Sequence, residues 1–352
     1  MMKEKPVEIF CGTGGVGKTT LSASRAIQLA ASGKKVLLIT IDPAKRLKEI
    51  LKITDESAGE ITSIHSKIFN NRPGGQPYQF DALLMSPEHT LKRMAERNNS
   101  FQDFDNRIIK TLVRPYGGMN EIMAIIEVQY QMERKIYDCV VLDTPPGKHF
   151  IDFLVSTQKI KRFFDKTFVE IFKYLGKSFG PQKESPGMLS ILVQSGIKKL
   201  LKYLEKVTGS QFVNDFIDAV IGLYKNRDSF LKALEFQNDM QKEEISNWFL
   251  VTSVEQLKQG EAQELRQGAI KFMHSDNFLC INKSVSQYLG NWYPHDDYLK
   301  SLRHTMLEKE NKLKTLQDQS FRASLLFSEI LESSPAEHVA KLSEEWSTHF
   351  PI

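Results

Sequence analysis

The sequence predicts an α/β fold: a doubly wound, mainly parallel sheet that carries an inserted α-helical subdomain. Three observations predict it. Short runs rich in β-branched and other apolar residues, Val7 to Cys11, Val36 to Ile41, Ala82 to Met85, Cys139 to Leu142, Phe249 to Thr252 and Phe278 to Ile281, read as strands buried on both faces. The first two are separated by a helical stretch, Thr19 to Ala31, stopped by Ser32-Gly33, which makes a βαβ unit. Two long stretches, Glu88 to Lys135 and Lys159 to Asn247, carry helical periodicity and almost no strand signal. Residues 1–87, 137–158 and 248–352 are therefore expected to form the core, and residues 88–136 and 159–247 the helical insertions.

Within the second insertion, Phe179 to Gly187 holds two prolines and two glycines and reads as a break or loop. From Tyr298 onward the pattern is helical, with a Ser-Ser-Pro loop at Ser333 to Pro335. A chain of 352 residues can bury a full core. Apolar runs such as Val36 to Ile39 fall far short of the roughly 20 residues that span a bilayer. The charged start, Met-Met-Lys-Glu-Lys, has no signal-type apolar region behind it, so a cytoplasmic location is expected. The three cysteines, Cys11, Cys139 and Cys280, form no CxxC pair, which argues against disulfides and a cysteine zinc site. Net charge is +4, but Lys159 to Lys206 alone holds 11 basic against four acidic residues.

Gly12-Thr-Gly-Gly-Val-Gly-Lys-Thr19 fits the phosphate-binding pattern GxxxxGK(S/T), with a strand before it and a helix after. The fold class expected is therefore a P-loop NTPase. Gly12, Thr13, Gly14, Gly15, Val16 and Gly17 supply converging backbone N–H groups, and the helix N-terminus adds its positive end. Lys18 should reach the β and γ phosphates, Thr19 should ligate Mg²⁺, and Thr20 should cap the α phosphate of ATP. Asp138-Cys-Val-Val-Leu-Asp143 is an apolar strand ending in an acid that suits the metal shell, and Thr144-Pro-Pro-Gly147 makes a rigid turn beside it. Ile41-Asp42-Pro43 leaves the second strand; Asp42 can orient the attacking water, cap the next helix, or do both.

This order of motifs resembles the ArsA-type deviant Walker A ATPases, which include arsenite-pump ATPases and the ATPase that targets tail-anchored membrane proteins. The GGVGKTT loop, the DPA segment at Asp42, the DTPP segment at Asp143 and the helical insertion carry the resemblance, most closely to the soluble bacterial branch. It implies that Lys18, Thr19 and Thr20 bind phosphates and Mg²⁺, that Asp42 positions water, and that Asp143 begins the second switch. It also implies that Asn282, ending Phe278-Leu-Cys-Ile-Asn282, reads the adenine edge; a plain Asx-turn is the alternative. Members work as dimers that close around nucleotide, so a homodimer or a heterodimer with a paralogue is expected. A partition-type positioning or filament-forming ATPase is the other functional class.

Three departures from that pattern stand out. The cysteine cluster of the arsenite pumps and the CxxC pair of the targeting ATPases are both missing, so arsenite binding is not expected. A methionine-lined client groove is not supported either, since Phe153 to Phe236 contains Met188 as its single methionine against ten phenylalanines. Thr13 occupies the place of the family's signature lysine, which crosses the dimer to stabilise phosphate charge. Slow hydrolysis, a substitute cation among Lys45, Arg46 and Lys148, or a lysine-bearing paralogue would each accommodate the change.

Met188 to Val207 reads as a basic amphipathic helix. Leu189, Leu192, Ile197, Leu200 and Leu204 lie on one arc, and Lys198, Lys199, Lys202 and Lys206 on the other. Such a helix suits a protein or anionic membrane surface, or packs its apolar face within the helical domain. No module for nucleic acid is recognisable, and none is expected as a partner.

Overall fold

The structure is a computed structural model that describes residues 3–41, 45–66, 77–114, 119–163, 199, 202–203, 205–315, 321–331 and 334–349. Its strands are β1 (Val7–Gly12), β2 (Val36–Thr40), β3 (Ile61–His65), β4 (Gln79–Leu84), β5 (Cys139–Asp143), β6 (Ser246–Ser253), β7 (Phe278–Ser284) and β8 (Ala323–Ser328). They form one sheet in the order β3-β4-β2-β5-β1-β6-β7-β8, parallel throughout except for β3 against β4. This is the α/β, mainly parallel sheet expected from the sequence. β1 stands between β5 and β6, and the sheet grows outward from it in both directions, so its C-terminal end opens at the switch point where such sheets bind ligands.

The helices in chain order are α1 (Lys18–Ala31), α2 (Lys45–Leu51), α3 (Pro87–Asn98), α4 (Phe101–Phe104), α5 (Arg107–Leu112), α6 (Asn120–Glu133) and α7 (Lys148–Phe163). They continue with α8 (Ser210–Lys225), α9 (Arg227–Asp239), α10 (Gln256–Ala269), α11 (Ser286–Gly290), α12 (Asp297–Thr315) and α13 (Pro335–His349). The chain divides into two compact units. One comprises Met1–Met85, Tyr130–Leu154 and Gln237–Ile352, and holds the sheet; the other comprises Ser86–Gln129 and Val155–Phe236. In the second unit Ser86 caps α3 with Pro87 at its first position, and the buried Glu127 of α6 accepts from Thr90 and Arg93 of α3. Among the described residues no helix is long and apolar enough to cross a membrane.

The core of the sheet unit is aromatic. Phe10 stacks on Phe249 at 4.8 Å and Phe249 on Phe278 at 5.3 Å, while the fully buried Trp346 of α13 meets the edges of Phe10 and Phe249. Trp346 also donates its indole N–H to Ser24 of α1, at 2.8 Å. Beneath it Arg25 is completely buried, and its guanidinium donates to both oxygens of the equally buried Glu8, at 2.7 and 2.8 Å. The helix that starts at the P-loop is thus bonded to the central strand and to the C-terminal helix.

Two strands escape the sequence reading. β3 is an edge strand with Ile64 as its one buried residue, so its apolar signal is weak. β8 is the opposite edge, only partly buried, and interrupts what reads from Tyr298 as continuous helix. β6 also begins earlier than Phe249, at Ser246, because Ser246 and Asn247 are buried by bonds to the Met240 and Lys3 carbonyls. Most of Met188 to Val207, all of Phe179 to Gly187 and Ser333 lie outside the described residues. The described members of the basic stretch, Lys199, Lys202, Tyr203, Glu205, Lys206 and Val207, are exposed.

Candidate functional site

The site is built where β1 ends. Gly12 pairs with Val251 of β6, and a Cβ at Gly12 would fall 2.3 Å from the Val251 carbonyl oxygen, so a side chain is excluded by the neighbouring strand. The loop then turns into α1 through Gly17, which is left-handed at φ 91°; a Cβ there would meet Asn282 Nδ2 at 2.2 Å. α1 opens directly at Lys18, with its N-terminal N–H groups facing the loop.

Lys18 is buried, and its ammonium donates to the Thr13 carbonyl at 3.0 Å, so it folds back across the loop it belongs to. Thr19 Oγ1 donates to Asp143 Oδ2 at 2.7 Å, which joins the first turn of α1 to the end of β5. Thr40, the last residue of β2, donates to the same oxygen at 3.0 Å. The turn after Asp143 is tied to the loop as well: Thr144 bonds the Phe10 carbonyl through both N–H and hydroxyl, and Gly147 N–H reaches the Gly12 carbonyl at 3.0 Å. The first turn of α1 and the ends of β2 and β5 therefore converge on one carboxylate.

Beside them lies a cavity of about 530 Å³. One wall is Gly14, Gly15, Gly17, Lys18, Thr19 and Thr20, with Thr144 and Pro146 from the turn after β5. The other is Asn282 and Lys283 at the end of β7, with Glu329 and Ile330 just after β8 and His338 in the first turn of α13. Asn282 is buried and donates its amide to the Val16 carbonyl at 2.9 Å, so it braces the phosphate loop as well as lining the cavity. Lys283 holds a left-handed conformation, φ 62°, with Glu255 3.9 Å from its ammonium.

Of the residues expected from the sequence, Gly12 through Thr20, Asp143 and Asn282 come together here, with Thr13 and Val16 buried behind the cavity. Asp42 lies outside the described residues, Lys45 and Arg46 belong to α2, and Lys148 is exposed at the start of α7. The sequence reading missed Thr40, Lys283, Glu329, Ile330 and His338. Thr40 carried a usable signal, a hydroxyl closing an apolar strand; the last three depend on β8 being recognised as a strand. Thr19 and Asp143 are hard oxygen donors at the N-terminus of α1, a set that fits Mg²⁺ completed by further oxygen donors and water. The cysteines take no part: all three are buried, and desolvation pushes the Cys11 thiol up to about 12.

A phosphate loop bonded to a strand-end carboxylate occurs in many nucleotide-binding chains, and comparison with known proteins narrows the choice. Residues 6–288 match the family model of anion-transporting ATPases. The chain belongs to the anion-transporting ATPase family. Relatives include the "ATPase GET3" of Mycosarcoma maydis, 30% identical over 170 residues, 48% of this chain and 46% of that protein. The "Putative arsenical pump-driving ATPase 1" of Aquifex aeolicus is 28% identical over 173 residues, covering 46% and 40%. The "ATPase ASNA1 homolog" of Plasmodium vivax is 25% identical over 329 residues, covering 92% and 72%. The matched part of the chain spans about half the length of the first relatives. The similar proteins are mostly eukaryotic, so they do not single out a bacterial branch.

Proposed function

We propose that the chain binds MgATP in the cavity at the end of β1 and hydrolyses it, and that it works in the cytoplasm as a nucleotide-switched dimer. The bond between Thr19 and Asp143 carries this reading: it places a hydroxyl and a carboxylate together at the N-terminus of a helix that opens on phosphate-binding N–H groups. The resemblance to ATPases supports the same choice. In this reading Lys18 leaves the Thr13 carbonyl for the phosphates, the loop N–H groups hold phosphate oxygens, and Thr19 and Asp143 hold Mg²⁺. Mg²⁺ would neutralise charge that develops on the phosphates. Asp42, two residues beyond β2 in the sequence, would orient the attacking water, and Asn282, Ile330 and His338 would enclose the base.

Two features favour a switch over a fast hydrolase. Thr13 brings no charge to the loop. The Thr144-Pro-Pro turn, bonded to Phe10 and Gly12, can pass a change at the phosphates to α7. The helical unit, whose sequence carries the basic stretch 188–207, is the part of the chain that would meet a protein or membrane partner.

Sizing of the full chain with and without a slowly hydrolysed ATP analogue and Mg²⁺ tests the switch. A discrete shift from monomer to dimer, or from an open to a more compact dimer, is expected with nucleotide. Growth into large scattering particles would instead select the filament-forming class. An elution position unmoved by nucleotide would contradict the reading.

A further inference from the structure

Thr13 is buried, and its hydroxyl makes no hydrogen bond of ordinary length and angle. It lies beside the carboxylate of Glu261 on α10. One turn earlier on the same helix Lys258 donates to both oxygens of that carboxylate, at 3.2 and 2.9 Å. The pair is not loosely mounted: Thr252 at the end of β6 donates to the Lys258 carbonyl at 3.1 Å, and β6 is the strand paired with β1 up to Gly12. Thr13 thus has Lys18 on its carbonyl and the Lys258–Glu261 pair at its hydroxyl.

A carboxylate next to a cradle for a polyanion opposes binding unless a cation accompanies it. A lysine at position 13 would be that cation; a threonine leaves the role to another residue. Glu261 is held below the usual carboxylate range chiefly by its bond from Lys258, so the acid is ionised and paired at neutral pH. Lys283 does line the cavity, but at the Asn282 end. Lys148 is exposed on α7.

We propose that Lys258 supplies the positive charge that Thr13 lacks, with Glu261 holding its ammonium beside the phosphate loop. The inference rests on the reading of the chain as an ATP hydrolase. It moves the cation from the loop to the helix after β6, and with Glu261 close by it makes the charge weaker and more easily withdrawn than one fixed on the loop.

Phosphate release and fluorescent-ATP affinity of the full chain test it. Lys258→Gln is expected to lower turnover by about tenfold or more, on the scale of losing one transition-state cation, and to weaken nucleotide affinity as well, because it leaves the Glu261 carboxylate unpaired beside the loop. Adding Thr13→Lys to Lys258→Gln should restore turnover. Lys300→Gln, which removes a similar exposed pair with Asp297 on α12, should leave it unchanged. Undiminished turnover in Lys258→Gln would overturn the inference while leaving hydrolysis intact. A slow Lys258→Gln that Thr13→Lys cannot rescue would overturn it too, by assigning Lys258 to the anchoring of α10. A wild-type chain with no turnover would instead refute the hydrolase reading itself, and the inference with it.

Discussion

Thr19 and Thr40, on different elements, donate to the same oxygen of Asp143, at 2.7 and 3.0 Å. The carboxylate is therefore aimed by two hydroxyls before any metal arrives. Thr40→Val removes one of them without touching the phosphate loop. The Mg²⁺ concentration that half-saturates turnover is expected to rise about tenfold, as for loss of a residue that orients a metal ligand, and Thr40→Ser should recover most of it. A titration of turnover against Mg²⁺ at fixed ATP checks this.

Gly17 and Asn282 exclude a side chain between them. Gly17→Ala asks for a left-handed alanine and a Cβ 2.2 Å from the Asn282 amide, so nucleotide binding should be lost while the fold persists. Asn282→Ala removes the bond to the Val16 carbonyl and one polar group of the cavity wall, but leaves Gly17 unstrained. Its loss of about 1 kcal/mol should weaken nucleotide binding several-fold. Titration with a fluorescent ATP analogue, alongside circular dichroism, separates the two cases.

Arg25 and Glu8 form a completely buried ion pair. Arg25→Met strands the Glu8 carboxylate in the core, and a loss of about 3–5 kcal/mol in unfolding free energy is expected. Adding Glu8→Gln to Arg25→Met should return much of it, because the unpaired charge is gone. Urea denaturation of the three variants measures both numbers.

His349 ends α13 against Phe327 and is partly buried, and burial lowers its pKa below the ordinary 6.5 despite a bond to the Leu326 carbonyl. The unfolded chain therefore binds this proton more readily than the folded one. The stabilising contribution of the neutral ring is complete above about pH 6.5 and is lost as pH falls below that value toward the depressed folded pKa. The thermal midpoint should fall over that window in the wild type, and the fall should be smaller in His349→Gln.

The parts of the fold legible in the sequence are those where chemistry fixes residue type. Gly12 and Gly17 have to be glycine because a strand and an asparagine press on them, and Lys18 and Thr19 follow at fixed spacing. The central strands read clearly because both faces are buried. β3 and β8, at the edges, mix exposed and buried positions and blur into their neighbours. Glu329, Ile330 and His338 on the far wall of the cavity come from the end of β8 and the start of α13, roughly 300 residues from Gly17 in the chain, with no local pattern to mark them. Lys258 and Glu261 look in sequence like any surface pair three residues apart; only the register of β6 against β1 brings them to Thr13.

Phosphate release at saturating ATP, with and without Mg²⁺, by the wild-type chain and by Lys18→Ala tests the central claim most directly. Turnover that requires Mg²⁺ and is abolished in Lys18→Ala is the expected result. Absence of Mg²⁺-dependent release in the wild type, or release that Lys18→Ala leaves unchanged, would contradict it.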